Sequence, residues 1–470
     1  MSQRAWTVGD HRRERAEATH HRPTMPWSGA GSSARASRHH GRDGLLGLAA
    51  LALVAGCSPT TNASPGASSS IVVPASGQAG AQACTWPEEV DAYVSNTVIP
   101  DTADVVWIDS FTVAPGLRIV LSGTFPDARY ASFQVYDRVG APFARDGVGS
   151  TLTDYQIAPD PGSVNPWQQQ AAPGGHFTVT LREDVARGQV NTIPLAPAGT
   201  SSGRGILVYR VYLPAGGDSS KIALPSMTLQ QGGHSESLAP CTTFYSPLTA
   251  PRSASSAVPT PTATPTPSPS ATPRVGQLQF FKASIDTLAP NVDTPYVLSY
   301  LTPPGSGDVV VIRGKAPTHA TGDHPSPWPA AGEDVRYWSL CMALATGVVP
   351  TVMNLTPSGG IDTGCRADDQ VTLDAAGDYA FVLGTEAQRA TIGSVAGTTF
   401  LPFSAAQPAT THLLMFRFML VNPSFVYSPG RVAQGNDPAV TAAVMGPYYP
   451  RATVCPLSTL VGEGVAGCFK

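Results

Sequence analysis

Four polar residues in the second half of the chain have the chemistry to bind a ligand. Asn291 and Asp293 lie in the segment PNVDTPY, Arg313 ends the apolar run VVVIR, and Arg336 opens the segment RYWS. An amide, a carboxylate and two guanidinium groups can together hold a polar molecule. All four lie at the ends of segments predicted to be strands, so we consider a pocket between two domains. The alternative is structural, with Asx side chains closing turns and arginines pairing with aspartates.

Two further patterns resemble catalytic or metal sites. The segment GTSSG at 199–203 satisfies the G-x-S-x-G pattern, but a nucleophile elbow needs a strand before it and a helix after it. A strand is predicted to follow, so we interpret this segment as a loop. His319, Asp323 and His324 carry metal-ligand atoms in a Pro-rich loop that is more simply solvated, and His176 and His412 next to strands are interpreted as structural. No metal or cofactor is therefore predicted.

The N-terminal region carries an export signal. Three arginines precede the short apolar run LLGLAALALV, and Val54-Ala55-Gly56-Cys57 matches a bacterial lipobox. The run is shorter than the twenty or so residues that span a bilayer. The sequence predicts a signal peptide over 1–56, with translation starting at Met1 or Met25, and a lipid anchor at Cys57. The alternative is an ordinary secretory signal in which Cys57 is incidental.

Charge argues against a nucleic-acid partner. Of 29 basic and 33 acidic residues, eight arginines and four acids precede Cys57, which leaves 21 and 29 and a net charge near −8. Nucleic-acid binding depends on Lys and Arg neutralising phosphates. The predicted partners are the membrane, through the lipid anchor, and an unidentified envelope ligand or protein.

Cysteine count and low-complexity segments divide the chain. Without Cys57, six cysteines remain, which in an exported protein indicates three disulfides, and zinc-site spacing is absent from the sequence. We predict a tether over 57–82, a β domain over 83–250, a Pro/Thr/Ser linker over 251–274 and a second β domain over 275–470. The boundaries favour the pairs Cys84–Cys241, Cys341–Cys365 and Cys455–Cys468.

An internal duplication is visible across the linker. Segment 104–135 aligns with 293–342, and Tyr209-Arg210 aligns with Phe416-Arg417. The matched positions are Asp104 with Asp293, Trp107 with Tyr296, Gly123 with Gly314, Arg129-Tyr130 with Arg336-Tyr337, and Ser132 with Ser339. A constant register over three blocks indicates a repeated unit.

The periodicity predicts a mainly β fold of two related antiparallel β-sandwich or jelly-roll domains with a few short helices. We predict helices near 87–94, after Pro87, and from Asp437 to Met445. The predicted strands of the first domain are 105–113, 117–123, 130–137, 176–182 and 206–213, and those of the second are 296–301, 309–314, 337–343, 371–373, 379–383 and 413–421.

Several of these segments resemble a known family. PNVDTPY, VVVIRG and RYWS are similar to the PN-x-DT-x-Y, VV-x-x-P and RY-x-S motifs of the tandem domains of unknown function of the 1254/1214 type, found in bacterial envelope and secreted proteins. Arg129-Tyr130, Tyr136-Asp137 and the strand Tyr209–Pro214 resemble the same family's motifs in the first copy. The resemblance implies β-sandwich and jelly-roll folds and no established reaction. Asn291 is replaced in the first copy by Asp101 or Thr102.

Three functions fit these observations. The first is a lipid-anchored binding module on the outer face of the cytoplasmic membrane, and a second is a purely structural assembly partner. The third is an extracellular ester or glycan hydrolase with its site between the domains. Glycan cleavage needs two carboxylates facing a cleft, for which Asp104 and Asp293 are candidates. The sequence favours a non-enzymatic role.

Overall fold

The computed structural model describes residues 84–244, 277–282, 289–356, 358–433 and 437–470. The predicted signal peptide, Cys57, the tether and most of the predicted linker lie outside this part of the chain. Within it, no helix is both long enough and apolar enough to span a bilayer.

Residues 84–244, the described part of the first half, contain twelve strands, which form two five-stranded sheets and one small hairpin. They are β1 (Glu88–Asp91), β2 (Asp104–Val113), β3 (Arg118–Thr124), β4 (Ala128–Tyr136), β5 (Ala144–Arg145), β6 (Val148–Gly149), β7 (Thr151–Thr153), β8 (His176–Arg182), β9 (Thr192–Pro194), β10 (Gly203–Pro214), β11 (Ser226–Gln231) and β12 (His234–Leu238). The sheet orders are β1-β2-β10-β4-β7 and β12-β11-β3-β8-β9.

The second half, as far as it is described, also contains twelve strands. They are β13 (Gln277–Leu278), β14 (Phe281–Lys282), β15 (Tyr296–Leu301), β16 (Asp308–Lys315), β17 (Val335–Leu344), β18 (Met353–Leu355), β19 (Ile361–Thr363), β20 (Cys365–Ala367), β21 (Asp378–Gly384), β22 (Thr399–Pro402), β23 (His412–Val421) and β24 (Arg451–Pro456). The sheet orders are β14-β15-β23-β17-β20 and β13-β24-β16-β21-β22, and β18 pairs with β19.

Helices are short throughout the described residues. The α-helices are α1 (Arg389–Gly393), α2 (Pro438–Met445) and α3 (Leu457–Gly467). The 3₁₀ turns are Asp154–Gln156, Ala215–Gly217, Ser219–Lys221, Asp368–Gln370, Glu386–Gln388, Pro429–Arg431 and Gly446–Tyr448. The mainly β fold predicted from the sequence is therefore confirmed, as is the helix at 438–445, which Asp437 caps by accepting hydrogen bonds from the N–H groups of Ala439 and Val440.

The two halves share the topology of their central strands, although the edge strands β12 and β13 come from opposite ends of their halves. Each has one sheet in which the strand equivalent to β10 lies between the equivalents of β2 and β4, and each has one parallel pair at the edge of the other sheet, β8 with β9 and β21 with β22. Even an uncommon backbone conformation recurs: Leu213 and Leu420 have φ of 48° and 47°. Their N–H groups donate to the carbonyls of Ala103 and Asp293, each at 2.9 Å. The structure thus shows the duplication.

Alternating side chains fill each sandwich. Along β2 every second residue is buried, and Trp107 and Phe111 enter the first core beside Phe133 and Tyr209. The second core is built the same way around Trp338, Phe381 and Phe416. The central strands β4, β17 and β23 are buried on both faces, because one face lies on the sandwich core and the other contacts the opposite half.

Three local predictions were wrong. Residues 88–91 form strand β1, because their pairing with Val105–Ile108 outweighs the helical signal of Pro87 and its acidic neighbours. Residues 371–373 contribute only an isolated bridge from Leu373 to Tyr379. The alignment of Asp104 with Asp293 and of Trp107 with Tyr296 is one residue out of register. Val106 pairs with Arg210 and Tyr296 pairs with Arg417, so Val106 is the counterpart of Tyr296 and Ala103 that of Asp293.

The disulfides Cys84–Cys241, Cys341–Cys365 and Cys455–Cys468 are present, and the predicted pairing is confirmed. Each closes within one half of the chain. The first joins the two ends of the first sandwich, over a sequence separation of 157 residues. The third fastens α3 to strand β24.

Candidate functional site

The two halves meet through a pair of reciprocal buried ion pairs. Arg129 on β4 donates from Nη1 to both carboxylate oxygens of Asp368, each at 2.7 Å. Arg336 on β17, its counterpart, donates from Nη1 to Asp154 at 2.6 and 2.7 Å. All four side chains are no more than 1% exposed. Each half thus supplies one cation and one anion to a junction with approximate twofold symmetry.

Each aspartate of these pairs is held by its own sandwich. Asp154 and Asp368 begin equivalent 3₁₀ turns directly after β7 and β20. Asp154 accepts the N–H of Ala131 at 2.8 Å, and Asp368 accepts the N–H of Trp338, the residue equivalent to Ala131, at 3.2 Å. These bonds fix each carboxylate at the sheet surface where the opposite arginine arrives. Burial raises the pKa of both carboxyl groups, and the facing arginines oppose that rise.

Two tyrosines also form hydrogen bonds across the junction, each to the segment of the opposite half that precedes β2 or β15. The Tyr130 hydroxyl donates to Asp293 at 2.8 Å, and the Tyr337 hydroxyl donates to Asp101 at 3.0 Å. Asp293 also accepts from Thr153 at 2.7 Å, while Asp101 accepts from Ser339 at 2.6 Å. Asp101 and Thr102 were the two candidates for the first-copy counterpart of Asn291. Asp101 is the one that lies in the junction, and its hydrogen-bonding role matches that of Asp293.

Backbone contacts and rings complete the junction. The N–H groups of Val98 and Ile99 donate to the carbonyls of Val348 and Val349, each at 2.9 Å, and the N–H of Trp328 donates to the Trp167 carbonyl at 2.8 Å. The rings of Tyr212 and Tyr337 lie 5.1 Å apart in an apolar cluster drawn from both halves. These polar and apolar groups of the two halves contact each other across the junction, which gives a closed interface.

One carboxyl group in this region has a strongly perturbed acidity. Asp104, 12% exposed, lies 3.7 Å from Nε of Arg210. Burial raises its pKa to about 7, although Arg210 acts in the opposite direction. Perturbed carboxyl groups are common in functional sites but also in structural ion-pair networks, and this one belongs to the network of the junction.

The structure brings together three of the four candidate ligand-binding residues predicted from the sequence. Asn291 and Arg336 are 3% and 0% exposed in the junction, with Asp293 between the halves. Asn291 accepts the N–H of Asp293 at 3.1 Å, which is the turn-closing role considered above, and it also accepts the Tyr130 hydroxyl at 3.3 Å. Arg313 lies elsewhere, on the outer face of β16, with its guanidinium 4.1 Å from the centre of the Phe469 ring.

The other candidates have local roles. Gly203 starts strand β10, so the G-x-S-x-G segment is a loop before a strand. His324 contacts Asp127 at 2.7 Å, Asp323 accepts the N–H of Gly216, and His319 accepts from the Trp338 indole at 3.3 Å. His324 also contacts Asp323 at 3.5 Å, whereas His319 has a separate partner, so the three side chains do not form one group of metal ligands. His176 is exposed at the start of β8, and His412 is buried and accepts the N–H of Ser404.

Within the described residues, one group of potential metal ligands has its atoms within 4.8 Å of one another: Asp101, Cys341 and Cys365. The two sulfur atoms form a disulfide and cannot ligate a metal as thiolates. Sequence reasoning missed Asp154 and Asp368. The repeated segments TDYQ and ADDQ, each of which follows a short strand, carried the signal that would have found them.

Comparisons with known proteins give no functional assignment. No protein-family model and no curated protein matches this chain. Among solved structures, an uncharacterised protein from Burkholderia cenocepacia is similar over 80% of this chain and 82% of its own, with 12% identity and a TM-score of 0.43. An anti-sigma factor domain-containing protein from Clostridium clariflavum matches over 68% and 76%, with 8% identity and a TM-score of 0.15. Neither similarity is close enough to support an argument about function.

Proposed function

We propose that this chain is an exported, lipid-anchored protein of the bacterial cell envelope that acts as a binding or scaffold module, related to the tandem domains of unknown function of the 1254/1214 type. The observation that carries the proposal is the closed junction. Arg129, Arg336, Asp154 and Asp368 pair with one another, so the polar residues between the halves align two sandwiches. A rigid two-sandwich body on a tether presents its outer surfaces to a partner.

The disulfides support the export part of this proposal. Disulfides persist in oxidising compartments and are rare in the cytosol. The lipobox at Cys57 supplies the anchor, since a lipidated cysteine at a new N-terminus holds a protein to the membrane by several acyl chains.

The hydrolase hypothesis gains no support from the junction. Its two candidate carboxylates, Asp104 and Asp293, lie between the halves, and Asp293 accepts hydrogen bonds from Tyr130 and Thr153. Glycan cleavage requires the two carboxyl groups to flank the scissile bond of a bound sugar. Because Asp293 is engaged with protein donors, we favour a binding role over catalysis.

Membrane fractionation of wild type, Cys57→Ala and the neighbouring control Ser58→Ala tests the anchor. We expect wild type and Ser58→Ala in the membrane fraction with a diacylglyceryl group on the mature N-terminal cysteine by mass spectrometry, and Cys57→Ala to lose both. Membrane retention of Cys57→Ala would remove the anchor from the proposal.

A screen of ester and glycan substrates with wild type and Asp293→Asn tests the binding role. Turnover by the wild type that is lost in a folded Asp293→Asn variant would replace the binding role with a hydrolase.

A further inference from the structure

Two arginines face each other on the outer surface of the second sandwich. Strands β16 and β24 are antiparallel, and their register places Arg313 directly opposite Arg451. Directly opposed residues in such a pair have Cβ atoms about 4.5–5.5 Å apart, and like charges at that spacing destabilise the sheet. Val309 and Val311, on the same face of β16 as Arg313, pack under α1 and α3. The two arginines lie where this helical cover ends.

Nearby acidic groups are engaged elsewhere. Within the described residues, neither Arg313 nor Arg451 has a carboxylate oxygen within 4.0 Å. Asp437, which lines the same region, caps α2. Lys470 adds a third cation, and its amine donates to Glu463 at 2.6 Å. The like-charged pair is therefore left without an internal counter-ion in this part of the chain.

These arginines line a cleft of about 760 Å³. Its wall comes from α2, strands β13 and β24 and the C-terminal residues. It combines apolar and aromatic side chains, including Leu278, Ala439, Ala442, Tyr449 and Phe469, with the polar residues Gln279, Asp437, Thr453 and Lys470. Clefts of about 300–1,000 Å³ with apolar walls and a few placed polar groups are typical small-molecule sites. Phe469 stacks on the face of the Arg313 guanidinium, and such stacking leaves the in-plane N–H groups able to bind an anion.

We propose that this cleft binds a small organic anion, whose carboxylate or phosphate group lies between Arg313 and Arg451 and whose apolar part contacts the apolar side chains of the wall, including Leu278 and Phe469. Arginine is suited to the anionic group because its planar fork donates two hydrogen bonds to a carboxylate or phosphate. A bound anion also relieves the repulsion between the two cations. The cleft lies on the outer face of one sandwich, so the inference stands apart from the lipid anchor and from the junction.

Isothermal titration calorimetry with phenyl phosphate and benzoate tests this site. The protein is the full chain carrying Cys57→Ala, which avoids detergent. We expect saturable one-to-one binding of both probes. Inorganic phosphate and uncharged phenol should each bind at least tenfold more weakly, since phosphate contacts only the arginine pair and phenol contacts only the apolar side chains of the wall. Charge-assisted hydrogen bonds contribute enough for Arg313→Gln and Arg451→Gln each to weaken binding at least tenfold.

Arg187→Gln is the matched control, because Arg187 is an exposed arginine of the first sandwich. It should bind both probes as the parent does. Thermal unfolding and circular dichroism of each variant establish that it is folded. Absence of saturable binding in the parent at millimolar probe, or equal binding by a folded Arg451→Gln variant, would overturn the proposal. Equal affinity for inorganic phosphate and phenyl phosphate would overturn the assignment of the apolar wall.

Discussion

Arg336 of the second half and Asp154 of the first form a fully buried ion pair, in which Nη1 of the arginine lies 2.6 and 2.7 Å from the two carboxylate oxygens. Its counterpart, formed by Arg129 and Asp368, runs in the opposite direction across the same junction. The exchange gives a duplicated chain an interface like that of a symmetric dimer, in which the same patch of each copy contacts the other. Because the two halves belong to one chain, their association is intramolecular, which strengthens it without any new contact.

Arg336→Met should be strongly destabilising. Removing one member of a buried ion pair leaves the other charge unpaired, which costs about 3–5 kcal/mol. Chemical denaturation followed by circular dichroism and tryptophan fluorescence measures the loss. The matched control is Arg182→Ala, which breaks an exposed pair with Asp184 and should cost at most about 1 kcal/mol. The double variant Arg336→Met with Asp154→Leu should be less destabilised than Arg336→Met alone. An equal or larger loss would show that the pair is not the reason for the effect.

Asp104 predicts a pH dependence of stability. Its pKa is about 7 in the folded chain and near 3.8 when unfolded, so between these values the folded state binds more protons than the unfolded state. The Asp104 contribution to stability is therefore favourable at low pH and is lost as pH rises from about 4 to 7, by at most about 1.4 kcal/mol per pH unit. The free energy of unfolding of the wild type minus that of Asp104→Asn, measured by denaturation across this range, should fall with that slope. A flat difference would contradict the raised pKa.

Much of the fold could be predicted from the sequence, because strand alternation and the repeated RY-x-S and Arg-containing strands are local signals. The register of the first repeated strand could not. Trp107 enters the sandwich core and Tyr296 lies on the opposite face, toward the other half. A one-residue slip exchanges the two faces of a strand. Because the apolar residues Val105 and Val106 are adjacent within β2, composition alone permits either register.

The candidate site was predicted in part. Asn291, Asp293 and Arg336 do converge, but their partners Tyr130, Thr153 and Asp154 come from the other half, at sequence separations that no local pattern reveals. Whether converging polar groups form a pocket or a closed contact depends on tertiary packing. Arg313 was grouped with them because it also ends a strand, yet its side chain points to the outer face.

The three disulfides should differ in their contributions. In the chain-entropy account, a longer closed loop restricts the unfolded state more. Replacing Cys84 and Cys241 by Ala, at a separation of 157, should lower the free energy of unfolding by about 4–5 kcal/mol. The Cys455–Cys468 pair, at a separation of 13, should contribute about 3 kcal/mol. Denaturant titrations of the two double variants compare them, and a larger loss for the shorter loop would contradict this ranking.

The closed junction is tested most directly by cutting the chain between the halves. A protease site placed in the predicted linker at 251–274 separates two fragments that none of the three disulfides joins, since Cys84–Cys241 lies in the first half and the other two bonds lie in the second. After complete cleavage, size-exclusion chromatography with light scattering should show both fragments in one peak at the mass of the uncut chain. The fragments should separate when Arg129→Met and Arg336→Met are combined. Two separate peaks from the cleaved wild type would contradict the account.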